Sequence, residues 1–493
     1  MPPTSEYEPL EGGTGKEINY RQERYLIAEL LNGNSDVQHS ANFSTYSGTI
    51  VDFGINGVAF SINSHAPTKD DLLEDLRIVI GHDCVYQGRA LVRYCRRDSS
   101  TKYTVGVVLL DGILDADAIV MAINRALATK TATALSRALE AGVSQKYKEA
   151  MADLVLLLSS YRQLLDSQEH SIESLSAPAA RERAAKEMLE IAIAQFGEQY
   201  GSYRRLCNSL ITGLTGNLKT AYRQYTEAVL HPHVMSAPDV YEAYQKPLGY
   251  PGDYLLMLYL YDPVPYGNSL YDKLVHEVVV RQEPMAGGVR LRKDFILGHI
   301  RRLSHEHVGG PDAPLRVLSL ACGPAQEIIE FASEYRSGTS PVVFTLIDQD
   351  QRSLTHVNSS LSRILLPGQS NIKIKYLYMG FKQMIAQADA LENVPSQDLI
   401  YAAGLFDYIR TITGRKLVKR LFSRLKKGGT MIIGNFKSPN DATWGLEYLV
   451  DWHLLYRTTQ DMHDLAADIQ EPHETEITCD ASGYTNMLLV TRR

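Results

Sequence analysis

From residue 315 onward the sequence alternates between short apolar runs and segments of helical spacing, and few folds accommodate that alternation. The apolar runs are "RVLSLA", "PVVFTLID", "IKIKYLYM", "DLIYAAG" and "TMIIGNF". Four of them are too continuously apolar for a strand with one wet face. That is the pattern of a parallel sheet covered by helices on both sides. Between them lie "AQEIIEFASEY", "QRSLTHVNSSLSRILL" and "GRKLVKRLFSRLKKGG", with apolar residues at helical spacing. The closing Lys-Lys-Gly-Gly reads as a helix stop, cations meeting the negative end of the dipole and glycines supplying the cap. The expectation is a doubly wound α/β domain over residues 311–493.

The texture upstream differs. Residues 1–18 are polar and read as a flexible tail. Over 19–115 the runs "SGTIVDFGINGVAF", "RIVIGHDCVYQGRALVRYCRR" and "YTVGVVLLDG" are Val-, Ile- and Tyr-rich and broken by Gly, Asp and Asn, which predicts a small antiparallel β-barrel. Residues 116–235 carry long Ala- and Leu-rich helical patterns, a bundle that could also form a homodimer surface. Residues 236–310 read as a helical cap on the α/β domain. The expected fold class is therefore multi-domain α/β, and the length of 493 residues allows two to four domains.

Bulk properties exclude more than they assign. The net charge of −7 advertises no nucleic-acid partner. Five scattered cysteines lack metal or disulfide spacing, so no metal site is expected and the chain reads as cytoplasmic. The amino terminus has no signal-peptide order, and no apolar window is long enough for a transmembrane segment.

The chemistry concentrates where "RVLSLACGPAQE" passes from strand to helix. A turn of small residues, Ala321, Cys322, Gly323 and Ala325, permits close approach of a ligand at the carboxyl end of a strand. The next strand ends in "LIDQD", where Asp348 is placed for a ribose diol and Gln349 follows it. The turn lacks the G-x-G-x-x-G of a dinucleotide site, and Pro324 removes an N–H that a pyrophosphate would use. A nucleoside bearing a cationic sulfonium suits the turn better.

These motifs, with Gly404 in "DLIYAAGLFDYI" and the strand "LKKGGTMIIGNF", resemble those of class I S-adenosylmethionine-dependent methyltransferases, which implies a Rossmann-like fold and that cofactor. Ser319 and Ala321 stand where many members carry an acid and a glycine. Glu327, in the first helical turn, is the candidate to meet the cofactor's ammonium, or else simply caps the helix.

A narrower resemblance covers roughly residues 200–493. "KPLGYPGDY", "VRLR", "LACGPAQE", "GLFDY" and "DWHLLYR" are similar to the bacterial methyltransferases of extracellular factor (3-hydroxypalmitic acid methyl ester) biosynthesis. The resemblance implies methyl transfer to a fatty acid carboxylate, with Tyr250, Asp253 and Tyr254 in a cap over the cofactor. A carboxylate needs orientation rather than a strong base. Arg457, Arg290 or Arg292 would anchor it, with His453, Tyr250 and Tyr456 beside it. On a helix, His453, Tyr456 and Arg457 would share a face. For a phenolic or polyketide acceptor His453 would serve as general base.

Residues 20–115 resemble PilZ domains, which bind cyclic di-GMP. Arg21 and Arg24 stand as R-Q-E-R, one residue short of that family's spacing. The turn "DFGING" keeps Asp52, Asn56 and Gly57 but has Gly54 in place of serine. The resemblance implies a nucleotide-responsive barrel, and leaves a signalling adaptor with a catalytically silent methyltransferase-like domain as an alternative.

Overall fold

The computed structural model describes residues 25–26, 35–41, 44–54, 56–62, 67–80, 83–97, 103–115, scattered positions between 118 and 128, and 142–493 except 247–249, 311, 336–340, 366–370 and 388. The chain divides into two compact units, residues 15–140 and 141–493.

In the first unit the Val- and Ile-rich runs form a curled, seven-stranded antiparallel sheet. Its strands are β1 (Tyr25–Leu26), β2 (Ser35–Ala41), β3 (Ser44–Gly54), β4 (Gly57–Ile62), β5 (Leu72–Ile80), β6 (Asp83–Arg97) and β7 (Tyr103–Leu109). They pair in the order β1-β3-β2-β5-β6-β7-β4, and β3 pairs with β2 as far as Thr49 and with β4 from there on. Phe60, Leu76, Ala90, Val92 and Val105 fill the concave face. The expected barrel is met to the extent of this curled sheet. Asp52 pairs with Ala59 across the β3–β4 hairpin, Asn56 is exposed at its turn and Gly57 opens β4. Arg21 and Arg24 lie outside the described residues.

The second unit opens with three long helices, α1 (Gln145–Glu173), α2 (Pro178–Ile211) and α3 (Gly216–Val234). Four further elements follow: α4 (Pro238–Gln245), α5 (Tyr254–Tyr261), α6 (Leu270–Val275), which runs on as a π-helical turn His276–Arg281, and α7 (Pro284–Glu306). A buried hydrogen-bond chain ties this helical part to the carboxy-terminal loops. Trp444 Nε1 donates to Tyr147 Oη at 2.7 Å, Tyr147 meets Thr226 Oγ1 at 2.6 Å, and Thr226 donates to the Tyr222 carbonyl at 2.8 Å. Thr226 already donates to a carbonyl, so Tyr147 donates to Thr226.

The alternation from residue 315 folds as read, into a sheet wound on both faces. Its elements are β8 (Leu315–Leu320), α8 (Gln326–Glu334), β9 (Val342–Asp348), α9 (Gln351–Ile364), β10 (Ile372–Tyr378), α10 (Phe381–Ala386), β11 (Gln397–Ala402), α11 (Thr411–Phe422), β12 (Leu425–Phe436), α12 (Thr459–Asp464), β13 (His473–Cys479) and β14 (Thr485–Arg492). The strand order is β10-β9-β8-β11-β12-β14-β13, with β8 to β12 parallel and β14 antiparallel to both neighbours. One face packs Leu318, Ile347, Ile400 and Ile433 against α10 and α11; the other packs Val317, Phe344, Leu399 and Ile432 against α7, α8 and α9. Over β8, β9, β11 and the second half of β12 both faces are dry, which is why those strands read as continuous apolar runs.

Two sequence expectations fail here. Lys-Lys-Gly-Gly does not cap a helix: α11 ends at Phe422, and residues 426–429 belong to β12. Gly428 takes φ +78° there, and a Cβ at Gly429 would fall 2.9 Å from the Gln397 carbonyl. The glycines serve the register shift between β11 and β12, not a helix end. The segment 451–457 is not helical. A π-helical turn, Gly445–Leu449, is capped by Val450, Asp451 follows with φ +50°, and residues 451–456 belong to no helix, so His453, Tyr456 and Arg457 share no helix face.

Tyr147→Phe tests the buried chain. It leaves Trp444 Nε1 and Thr226 Oγ1 each short of a partner in a dry site, which should cost about 1–3 kcal/mol in urea unfolding. An unchanged midpoint would show that the chain does not stabilise the helical part.

Candidate active site

β8 lies between β9 and β11, so the direction of winding reverses at its carboxyl end, the place where open α/β sheets leave a crevice. A cleft of about 1310 Å³, counting its open mouth, sits there. Its floor is residues 319–324 after β8, Asp348 and Gln349 after β9, and 379–381 after β10. Tyr401, Ala403, Gly404 and Asp407 come from the end of β11, and Phe436 from the end of β12. Tyr250, Pro251, Gly252, Tyr254, Met257 and Tyr261 roof it.

The turn after β8 alternates left-handed backbone at Ala321 (φ +50°), Gly323 (φ +53°) and Ala325 (φ +47°). Two of these are alanines in a conformation that costs a Cβ roughly 1–2 kcal/mol, strain the surrounding contacts must hold. The contacts are specific. Cys322 N–H donates to the Ile347 carbonyl at 3.2 Å, Gly323 N–H to Asp348 Oδ2 at 2.9 Å and Ala325 N–H to the Cys322 carbonyl at 3.0 Å. Ser353 Oγ donates to the Gly323 carbonyl at 2.6 Å. With Pro324 contributing no N–H, the turn from 322 to 325 has no backbone donor left over for an anion.

Asp348 is buried at the cleft wall, and its Oδ1 accepts the Asp350 N–H at 2.9 Å. Burial pushes its carboxyl up, while the N–H groups of Asp350, Gly323 and Gln349 draw it back. Glu327 is also buried and lines the cleft. Tyr401 Oη donates to its Oε1 at 2.6 Å, and burial raises both groups. Arg292 lies across from them, with Nη1 on Asp407 Oδ2 at 2.8 Å and its guanidinium 4.9 Å from the Phe436 ring centre. Asp407 is raised by burial and drawn down chiefly by Arg292; its Oδ1 accepts the Phe436 N–H at 2.8 Å. Burial and the acidic neighbours Asp348, Asp350 and Asp253 hold the Tyr250 phenol neutral.

The cleft thus gathers Ala321, Cys322, Gly323, Glu327, Asp348, Gln349, Gly404, Tyr250 and Tyr254. Other candidates stand apart from it. Asp253 caps α5, accepting the Leu256 N–H at 2.9 Å, and does not line the cleft. Arg290 turns away and donates to the Arg281 carbonyl at 2.7 Å, leaving Arg292 as the arginine at the site. His453 Nε2 meets Asp451 Oδ1 at 3.0 Å outside the cleft, and Tyr456 is held near Glu447. Arg457 is buried, its guanidinium committed to the Phe406 and Ile409 carbonyls and Asn435 Oδ1. It shapes the loops behind the site.

Sequence reading passed over Tyr401, Asp407, Met257, Tyr261 and Phe436 as lining residues. Tyr401, Asp407 and Phe436 all fall at strand ends inside motifs already singled out, and position at a carboxyl-terminal strand end was the available signal. Trp452, from the segment "DWHLLYR", is also a wall of the cleft, with Nε1 on Tyr408 Oη at 3.0 Å. Among the described residues no cluster of His, Cys, Asp and Glu could hold a metal, and no helix is long and apolar enough to cross a membrane.

No protein-family profile and no curated protein matches the chain. Solved structures show distant likeness. A possible exported protein from Bordetella parapertussis shares 16% identity, over 64% of this chain and 99% of that one, with a TM-score of 0.40. The magnesium protoporphyrin IX methyltransferase of Synechocystis PCC 6803, with bound S-adenosylhomocysteine, shares 13% over 42% and 87%, with a TM-score of 0.31. The N-methyltransferase NodS of Bradyrhizobium japonicum WM9, also with S-adenosylhomocysteine, shares 14% over 44% and 96%, with a TM-score of 0.28. Likenesses this distant assign nothing to the chain.

Arg457→Lys separates a structural from a chemical role. One ammonium cannot reach three acceptors, so urea unfolding should show a loss of about 2 kcal/mol. Full stability together with lost activity would return Arg457 to the reacting atoms.

Proposed function

We propose that the chain is an S-adenosylmethionine-dependent methyltransferase that O-methylates a carboxylate on a fatty-acid-like small molecule. The observation that carries this is the turn from Ala321 to Ala325. It leaves space for a ligand at the switch point, yet the N–H groups of Cys322, Gly323 and Ala325 are spent and a carboxylate, Asp348, stands against it. A pyrophosphate would find a like charge there and no donor from Cys322 to Ala325. A phosphate-free nucleoside with a cationic centre meets the opposite situation.

The lining suits that cofactor. A Cβ on Gly323 would meet nothing within 4 Å, so the cleft comes up to the bare backbone there. Asp348 would hold the ribose hydroxyls, since each of its oxygens keeps lone-pair capacity beyond the backbone bonds described. Glu327 would face the ammonium, and the tyrosines of the roof offer ring faces to a cation. When bound, the cofactor supplies a methyl group on a positively charged sulfur.

The chain's own residues then have modest work. Arg292 is the one cationic side chain lining the cleft among the described residues, and its Nη1 is fixed by Asp407. It orients an acceptor carboxylate by a charge-assisted hydrogen bond. The roof of Tyr250, Tyr254 and Tyr261 excludes water, and alignment rather than proton removal limits the reaction. His453, the base that a phenolic acceptor would call for, lies outside the cleft, which favours an acceptor already ionised at neutral pH. The curled amino-terminal sheet serves regulation or partner contact. Cyclic di-GMP is not part of the proposal, since Arg21 and Arg24 lie outside the described residues.

Incubation with methyl-labelled cofactor and a cell lipid extract should place label in an alkali-labile ester. Gly323→Asn should abolish that label while the protein stays folded, because asparagine tolerates the left-handed backbone and its side chain enters the cleft rather than the core. Label in an alkali-stable product would overturn the carboxylate assignment, and full activity of Gly323→Asn would overturn the site.

A further inference from the structure

Phe436 and Trp452 each have two faces: both line the cleft and both line a second cavity of about 560 Å³, counting its open side. The proposed methyl transfer leaves that cavity unused. Its lining comes from α4, α5, the π-helical turn after α6, α7 and the turn 445–450, and it is aliphatic, with Leu256, Leu260, Val289 and Leu449 among its walls. One ionisable group enters it, Glu283, the residue just before α7.

Glu283 is 4% exposed, and neither carboxyl oxygen has a hydrogen-bond partner. Arg204 Nη1 stands 3.8 Å from Oε2, beyond hydrogen-bond reach, and donates instead to the Gln282 carbonyl at 3.1 Å. The chain also makes room for the carboxyl, since a Cβ at Gly445 would fall 2.8 Å from Oε1. Burial pushes Glu283 up to about 7 against the pull of Arg204. A buried, unsatisfied carboxyl costs stability that an aliphatic residue at the same place would not. The ion pair with Arg204 offsets part of that cost but leaves both oxygens without a hydrogen bond, which a ligand donor would supply.

We infer that this cavity is a second ligand site, taking an uncharged aliphatic chain that carries one hydrogen-bond donor, such as a hydroxyl, toward Glu283. The chain lies against Leu256, Leu260 and Val289, and the donor supplies the bond that the protein leaves unmade. The inference goes beyond methyl transfer and does not require it.

The test uses the two tryptophans of the sequence, Trp444 and Trp452, the second of which lines the cavity. Full-length protein is titrated with hexan-1-ol and with its isomer 1-methoxypentane, which has no donor, following tryptophan emission. The titration is run well above pH 7, so that Glu283 is ionised and only accepts. Hexan-1-ol should bind about tenfold tighter, the weight of one hydrogen bond. Glu283→Gln, whose carbonyl still accepts, should keep that preference, and Glu283→Leu should erase it. Leu260→Trp should fill the cavity and abolish binding of both. Equal affinities in the unaltered protein would overturn the proposal and leave Glu283 to an ordered water, as would binding that survives Leu260→Trp. S-adenosylhomocysteine titrated into the same proteins reports on the cleft separately, so failure of the methyltransferase reading is distinguishable from failure of this one.

Discussion

The hydrogen bond from Gly323 N–H to Asp348 is the constraint on which the site depends. It joins the turn after β8 to the end of β9, at one side of the crevice where the winding of the sheet reverses. It holds a backbone in which Ala321 and Ala325 accept left-handed conformations that alanine avoids. It also sets the electrostatic character of the crevice. By consuming the Gly323 donor and placing a carboxylate beside it, it leaves the crevice better matched to a neutral or cationic ligand than to an anion.

Polar groups around the cleft are paired in the same spirit. Arg292 is set against Asp407 and Glu327 against Tyr401, while Asp407 also receives the Phe436 N–H. Such prior pairing fixes positions before a ligand arrives, so little reorganisation remains for binding. Arg457, behind the wall, fastens the loops carrying Phe406, Ile409 and Asn435. The roof is held by close approach: a Cβ on Gly252, at φ +73°, would fall 2.5 Å from Tyr408 Oη and 2.8 Å from the Trp452 ring. Rigidity of the roof and polarity of the floor come from different parts of the chain.

Much of this was legible in the sequence, for physical reasons. Continuous apolar runs appear only when both faces of a sheet are dry, so β8, β9, β11 and β12 were readable, and small residues at a strand end marked the crevice. The antiparallel strands β13 and β14 were not recognised: "HETEITC" alternates like any surface strand, and nothing local ties it to a sheet edge. The two arginines of "VRLR" could have been separated by geometry alone. Two residues apart on a helix, Arg290 and Arg292 cannot face the same cleft. Asp253, immediately before the apolar run of α5, likewise carried the signature of a cap. Glu283 and its cavity depend on five separate elements meeting, and no local pattern announces that.

The central claim is that the crevice refuses phosphates and accepts a sulfonium nucleoside. Calorimetric titration of the full chain with S-adenosylhomocysteine and, in parallel, with NAD tests it most directly. The account predicts saturable binding of S-adenosylhomocysteine that Asp348→Ala abolishes, and no heat from NAD. Binding of NAD, or indifference of a folded protein to S-adenosylhomocysteine, would contradict it.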